Sequence, residues 1–156
     1  MSRASSAQVQ VRAQWGEPDD QPRHALAVGL GSEVGFGLRY TQFTPGSPWA
    51  PWVAAGLLAS GAGCDLSLPT ILFRRPAEVR SPAAEGFVSL GLTVEYADVP
   101  HVAGTGFAAL GYRRWVHPRR LWFWEVSVGV NQHLWGDRPW GGYTGFAGRL
   151  QWGTTF

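Results

Sequence analysis

The amino-acid sequence predicts an all-β chain that closes as a single antiparallel up-and-down barrel of about eight strands, of the transmembrane type. Three observations predict it. Apolar residues alternate with polar or very small ones through most of the chain, as in strands with one apolar side. Turn-forming clusters of Pro, Gly, Asp and Ser separate these runs. Glycine, at 21 of 156 residues, falls repeatedly on the non-apolar side, where a solvated sheet would carry long charged side chains.

The length suits one domain able to close a core or a barrel. Residues 1–6 are expected to be disordered, and 7–156 to form the barrel with a long connection at about 61–85. All 13 basic residues are Arg, and the net charge of +2 is too small to argue for nucleic acid. The single cysteine, Cys64, excludes an intramolecular disulfide and a Cys-based zinc site. No apolar run is long enough for a transmembrane helix. Residues 1–8 have no apolar core of a secretory signal and look like residues that follow one. The stretch 52–64 imitates a lipoprotein signal ending at Cys64, but it sits mid-chain with no basic residues before it.

The elements follow in order. Val9, Val11, Ala13 and Trp15 alternate with polar residues in a first strand, and 17–23 is a turn cluster. Residues 24–31 form a second strand with Leu26, Val28 and Leu30 on one side, and Val34, Phe36, Leu38 and Tyr40 mark a third. Residues 49–60 are read as a fourth strand with blurred alternation, and 61–85 as a connection interrupted by Pro69, Pro76 and Pro82. Val88, Leu90, Leu92, Val94 and Tyr96 mark a fifth strand, and 107–116 a sixth. The closing hairpin carries the clearest alternation. Trp122, Trp124, Val126, Val128 and Val130 oppose Phe123, Glu125, Ser127, Gly129, Asn131 and His133. Phe146, Leu150, Trp152 and Phe156 oppose Ala147, Arg149, Gln151 and Gly153.

Function turns on which face is inside. A soluble barrel turns its apolar face inward around a ligand, whereas a membrane barrel turns it outward to lipid. The glycine-rich polar face suits a narrow lumen. Folding the strands up and down between two rims, starting at rim A, gathers the aromatics into two groups. Trp15, Trp49, Trp52, Trp135 and Trp140, with Tyr40 and Tyr96, fall at rim B, and Trp115, Trp122, Trp124 and Trp152, with Phe156, near rim A. Aromatic girdles flanking an aliphatic belt are what a bilayer selects. Strands of about ten to thirteen residues also suit a tilted crossing.

These features resemble the small eight-stranded outer-membrane barrels of the OmpA/OmpX type over nearly the whole chain. The alternating ending, Leu150, Trp152 and the terminal Phe156, is similar to the signal read by the outer-membrane assembly machinery. Thr154 departs from it, since an aromatic usually stands there. The resemblance implies a bacterial outer-membrane location, lipid and the assembly machinery as partners, a monomer, and a structural or small porin-like role.

The lumen face would carry Arg12, Arg39, Glu95, Arg113, Glu125 and Arg149. Enclosed charges must pair or reach water, so an interior salt-bridge network is expected, with a narrow polar path as the sharper reading. An eight-stranded tube is filled by its own side chains and suits no general diffusion pore. Two alternatives are carried: a lipid A deacylase-like barrel enzyme and a soluble lipocalin-like binder. The deacylase family uses a His and a Ser two residues apart, but His133 is followed by Leu134 and Trp135. Ser127 and His133 share a face but stand about 20 Å apart along a strand, too far for proton transfer. His24, His101 and His117 read as isolated rim or loop residues. No catalytic residue, metal site or cofactor is expected.

Overall fold

The computed structural model describes residues 24–31, 34–44, 47–68, 84–97, 101–116, 122–136 and 145–156. Within them run eight strands, β1 (His24–Gly31), β2 (Gly35–Gln42), β3 (Trp49–Gly56), β4 (Ala59–Ser67), β5 (Ala84–Ala97), β6 (His101–Trp115), β7 (Trp122–Gly136) and β8 (Gly145–Thr155). Each pairs antiparallel with the next, and β1 pairs with β8, so the sheet closes on itself. The fold is the all-β, closed, eight-stranded barrel that the alternation predicts.

The membership of the ring differs from the sequence reading. The stretch 49–60 is not one strand but holds β3, the turn at Leu57 and Leu58, and the start of β4. No Gly-Asp or Pro signal marks that turn. The Leu57 amide donates to the Phe36 carbonyl, and the Leu58 carbonyl accepts from the Tyr96 amide, so neighbouring hairpins hold it. Residues 59–67, placed largely in a connection, are a full strand paired with β3 and β5. Its outward residues Ser60, Ala62 and Cys64 and its inward Gly61 and Gly63 are small, so it sends almost no hydrophobic signal. β1 already has a neighbour on each side, β2 and β8, and the ring is complete from residue 24 onward. The strand read at 9–15, the disordered segment at 1–6 and the rest of the connection, 69–83, lie outside the described residues.

Side-chain parity sorts the wall. Leu30, Leu38, Val53, Leu92, Leu110, Val130 and Leu150 point outward and are exposed. Arg39, Asp65, Arg113, Glu125, Arg149 and Gln151 point into the lumen and are buried. The apolar face is therefore the outer face. Rim A holds both ends of the barrel, where the Phe156 amide donates to the His24 carbonyl at 3.0 Å. The His24 ring stacks on Phe156 and on Tyr40, each with a centroid separation of 5.9 Å, and its Nδ1 lies 2.7 Å from the Tyr40 hydroxyl.

The lumen is layered. At rim A the Trp115 and Phe123 rings lie 5.0 Å apart and pack with Ala25 and Ala27, and the Phe43 ring is 6.0 Å from that of Trp115. Four inward rings stand directly opposite glycines: Trp52 opposite Gly63, Phe87 opposite Gly111, Phe107 opposite Gly91, and Phe123 opposite Gly153. A Cβ on any of these glycines would run into the facing ring. In a narrow tube a ring aimed across at its neighbouring strand leaves little room for the residue opposite, so glycine gives each of these four rings its seat. Toward rim B, apart from Glu95 and His133, the inward residues are mostly small or modestly polar, among them Gly29, Ala54, Gly61, Thr93, Thr105 and Asn131.

Candidate functional site

The charged layer of the lumen is built from six strands. Arg39 comes from β2, Asp65 from β4, Glu85 from β5, Arg113 from β6 and Glu125 from β7, and Arg149 joins them from β8. Period-two alternation places each on the inward face, and closure of the barrel brings them together across the lumen.

Glu125 is the centre. Its Oε1 accepts from Arg39 Nη1 at 2.7 Å and lies 3.2 Å from Arg149 Nε. Its Oε2 accepts from Arg113 Nε at 2.9 Å and lies 2.8 Å from Arg113 Nη2. Asp65 is the second anchor. Its Oδ2 accepts from Arg39 Nη2 at 2.6 Å and from Arg113 Nη2 at 3.0 Å, while its Oδ1 accepts from the Ser89 hydroxyl at 2.7 Å. Glu85 completes the set, accepting from Arg113 Nη1 at 2.9 Å and from the Ser67 hydroxyl at 3.3 Å. Three guanidiniums thus meet three carboxylates, and the layer is formally neutral. Its Arg heads also lie over the seated rings, Arg39 at 4.5 Å from the Trp52 centroid and Arg113 at 4.8 Å from that of Phe87. Planar guanidiniums suit this double use, hydrogen-bonding at the edge and stacking on the face.

Of the residues read as lumen charges, Arg39, Arg113, Glu125 and Arg149 meet here. Glu95 does not. It stands toward rim B, where its Oε1 accepts from the Thr105 hydroxyl at 2.9 Å. Arg12 lies outside the described residues. Sequence reasoning missed Asp65 and Glu85, both inside the stretch taken as a connection. The signal that could have found them was charge balance, since four Arg read as inward, Arg12, Arg39, Arg113 and Arg149, against only Glu95 and Glu125 call for further carboxylates.

The aromatic assignments change as well. Trp52 and Trp115 are buried in the lumen, at 3 % and 2 % exposure, rather than on the outer face. Trp49 and Tyr40 stand at rim A rather than rim B, because β1 begins the ring and reverses the direction assumed for β2 and β3. Trp122, Trp124 and Trp152 lie at rim A on the outer face, with Phe156, and Trp135 and Tyr96 lie outward at rim B. Leu150 is outward on β8, in line with Trp152 and Phe156. Trp15 and Trp140 lie outside the described residues, as do His117 and the side chain of His101.

The layer can lock and fill the tube. Each of its carboxylates is engaged by a guanidinium, which leaves none poised as a general base. Ser127 and His133 are not brought together: Ser127 pairs with Gly111 and Arg149, whereas His133 pairs with Thr105 and its Nε2 lies 3.0 Å from the Gly136 carbonyl. No group of three or more His, Cys, Asp or Glu among the described residues is placed to hold a metal ion. No family model matches the chain, and no curated protein or solved structure matches it significantly.

Proposed function

We propose that the chain is an integral outer-membrane β-barrel of the OmpA/OmpX kind, structural rather than conducting, with a lumen filled by its own side chains. One observation carries the reading. The outer wall exposes Leu, Val, Phe and Trp from strand after strand, while the ionised groups are enclosed and paired. Water around such a wall would face an apolar patch far larger than a soluble monomer tolerates. Lipid reverses that balance and also accounts for outward aromatics near both rims. The lining of guanidiniums and carboxylates suits neither an apolar ligand nor hydrolysis. Insertion by the outer-membrane assembly machinery, reading Leu150, Trp152 and Phe156, belongs to the same reading.

The test is refolding. The chain is expected to fold in detergent micelles or vesicles as a monomer whose gel mobility shifts on boiling. A folded monomer stable in plain buffer would overturn the membrane reading. In planar bilayers the native barrel is expected to give no steady conductance, and open channels at low voltage would overturn the structural role.

A further inference from the structure

Among the described residues, the outer wall has one charged exception. Among the described strand residues that face outward, Arg114 on β6 is the sole Asp, Glu, Lys or Arg, and it is exposed. It stands at rim A, next to the inward Trp115. Its register partners are Ala84 on β5 and Trp124 on β7, and Trp124 in turn stands opposite Trp152 on β8. Two residues along β6, on the same face, the Tyr112 ring lies 5.6 Å from that of Trp124. Tyr112 itself is opposite Gly86.

We propose that Arg114, flanked by Trp124 and Tyr112, is a site for the phosphodiester of an anionic glycerophospholipid at rim A. The inference rests on the membrane reading above, and charge complementarity carries it. No acidic side chain shares the outer face with Arg114 among the described residues, so its charge is not answered from within the wall. A guanidinium cannot shed its proton and is costly in hydrocarbon, so its stem runs along neighbouring apolar surface and its head reaches the interface. Trp124 and Trp152 set that level, because indoles rest where hydrocarbon gives way to headgroups. The anions found there are phosphodiesters, whose oxygens match the paired N–H donors of a guanidinium. Ala84 and Gly86 bring almost no side chain to the β5 flank, and a headgroup can approach from that side. A lipid with no cationic headgroup group of its own is favoured, since a choline or ethanolamine would compete for the same phosphate.

The experiment uses the full chain refolded into phosphatidylcholine vesicles carrying increasing brominated phosphatidylglycerol, with brominated phosphatidylcholine as the reference quencher. Tryptophan quenching then reports which lipid lies against the wall. The native chain is expected to favour phosphatidylglycerol about fivefold, the effect of one basic residue near an anionic surface, and less at high salt. Arg114→Gln is expected to bring the preference to unity, and Arg114→Lys to retain part of it. Quenching by both lipids without preference in the native chain, or the same preference in Arg114→Gln, would overturn the phosphate site while leaving the membrane reading standing. Failure of either brominated lipid to quench at all would overturn both. Arg114 makes no lumen contact, and unchanged circular dichroism of Arg114→Gln shows that any lost preference is not lost folding.

Discussion

The two ends of the lumen are built on opposite plans. At rim A the tube is stoppered by Trp115, Phe123 and Phe43, and the layer around Glu125 and Asp65 lies immediately behind them. Toward rim B the lining thins to Gly29, Ala54, Gly61 and Gly129, with Thr105, Glu95 and His133 near the mouth, several of them only half-buried. One backbone therefore carries a rigid, cross-linked end and a lightly filled end. The packed end resembles a protein core, in which charge is tolerated because every head has partners. The open end holds its charge differently, with the half-buried Glu95 accepting from the Thr105 hydroxyl and no guanidinium bonded to it among the described residues.

Substitutions should separate the two ends in order of size. Glu125→Gln takes away the carboxylate shared by Arg39, Arg113 and Arg149 and leaves buried charge uncompensated. A loss of about 3–5 kcal/mol is expected, read as a lower urea midpoint in detergent. An unchanged midpoint would mean that Asp65 and Glu85 hold the guanidiniums by themselves. Gly153→Ala removes the seat of the Phe123 ring and should cost about 1–3 kcal/mol, the range for an overpacked core. Smaller again is Thr105→Val, which deletes the hydrogen bond to Glu95 at about 0.5–1.5 kcal/mol. His133→Ala, near the rim B mouth, should stay within about 0.5 kcal/mol of the native midpoint. If it instead cost as much as Gly153→Ala, the contrast between the ends would fail.

Much of this could be read from residue parity alone. The alternation in β7 and β8 set Glu125 and Arg149 on one side and Trp124 and Trp152 on the other, as the structure has them. Parity also held information that the girdle argument passed over. Trp115 shares its face with Arg113, and Trp52 lies on the face opposite Trp49, so both Trp were marked for the lumen. The β3–β4 turn could not be read, because its residues, Leu57 and Leu58, carry no turn chemistry and are held by carbonyls from elsewhere in the ring. β4 stayed hidden because a strand of small residues has little hydrophobic period to detect. With it went Asp65. Glu85, just inside β5, was lost to the same connection.

The seated rings have a bearing on how the wall is aligned while it forms. A one-residue slip between neighbouring strands exchanges the two faces, and a two-residue slip keeps the faces but changes the partners. Against a two-residue slip the hydrophobic pattern gives little protection, since like still faces like. A ring facing a glycine does protect. Moved by two residues, Phe123 would face Gln151 or Thr155, and Phe87 would face Ala109 or Arg113. The four ring–glycine pairs lie in the β3–β4, β5–β6 and β7–β8 hairpins, while at the level of Gly29 and Gly37 the β1–β2 hairpin sets glycine against glycine. Three hairpins thus carry their own alignment keys, usable before any distant strand is in place. The first must take its alignment from its neighbours as the cylinder closes.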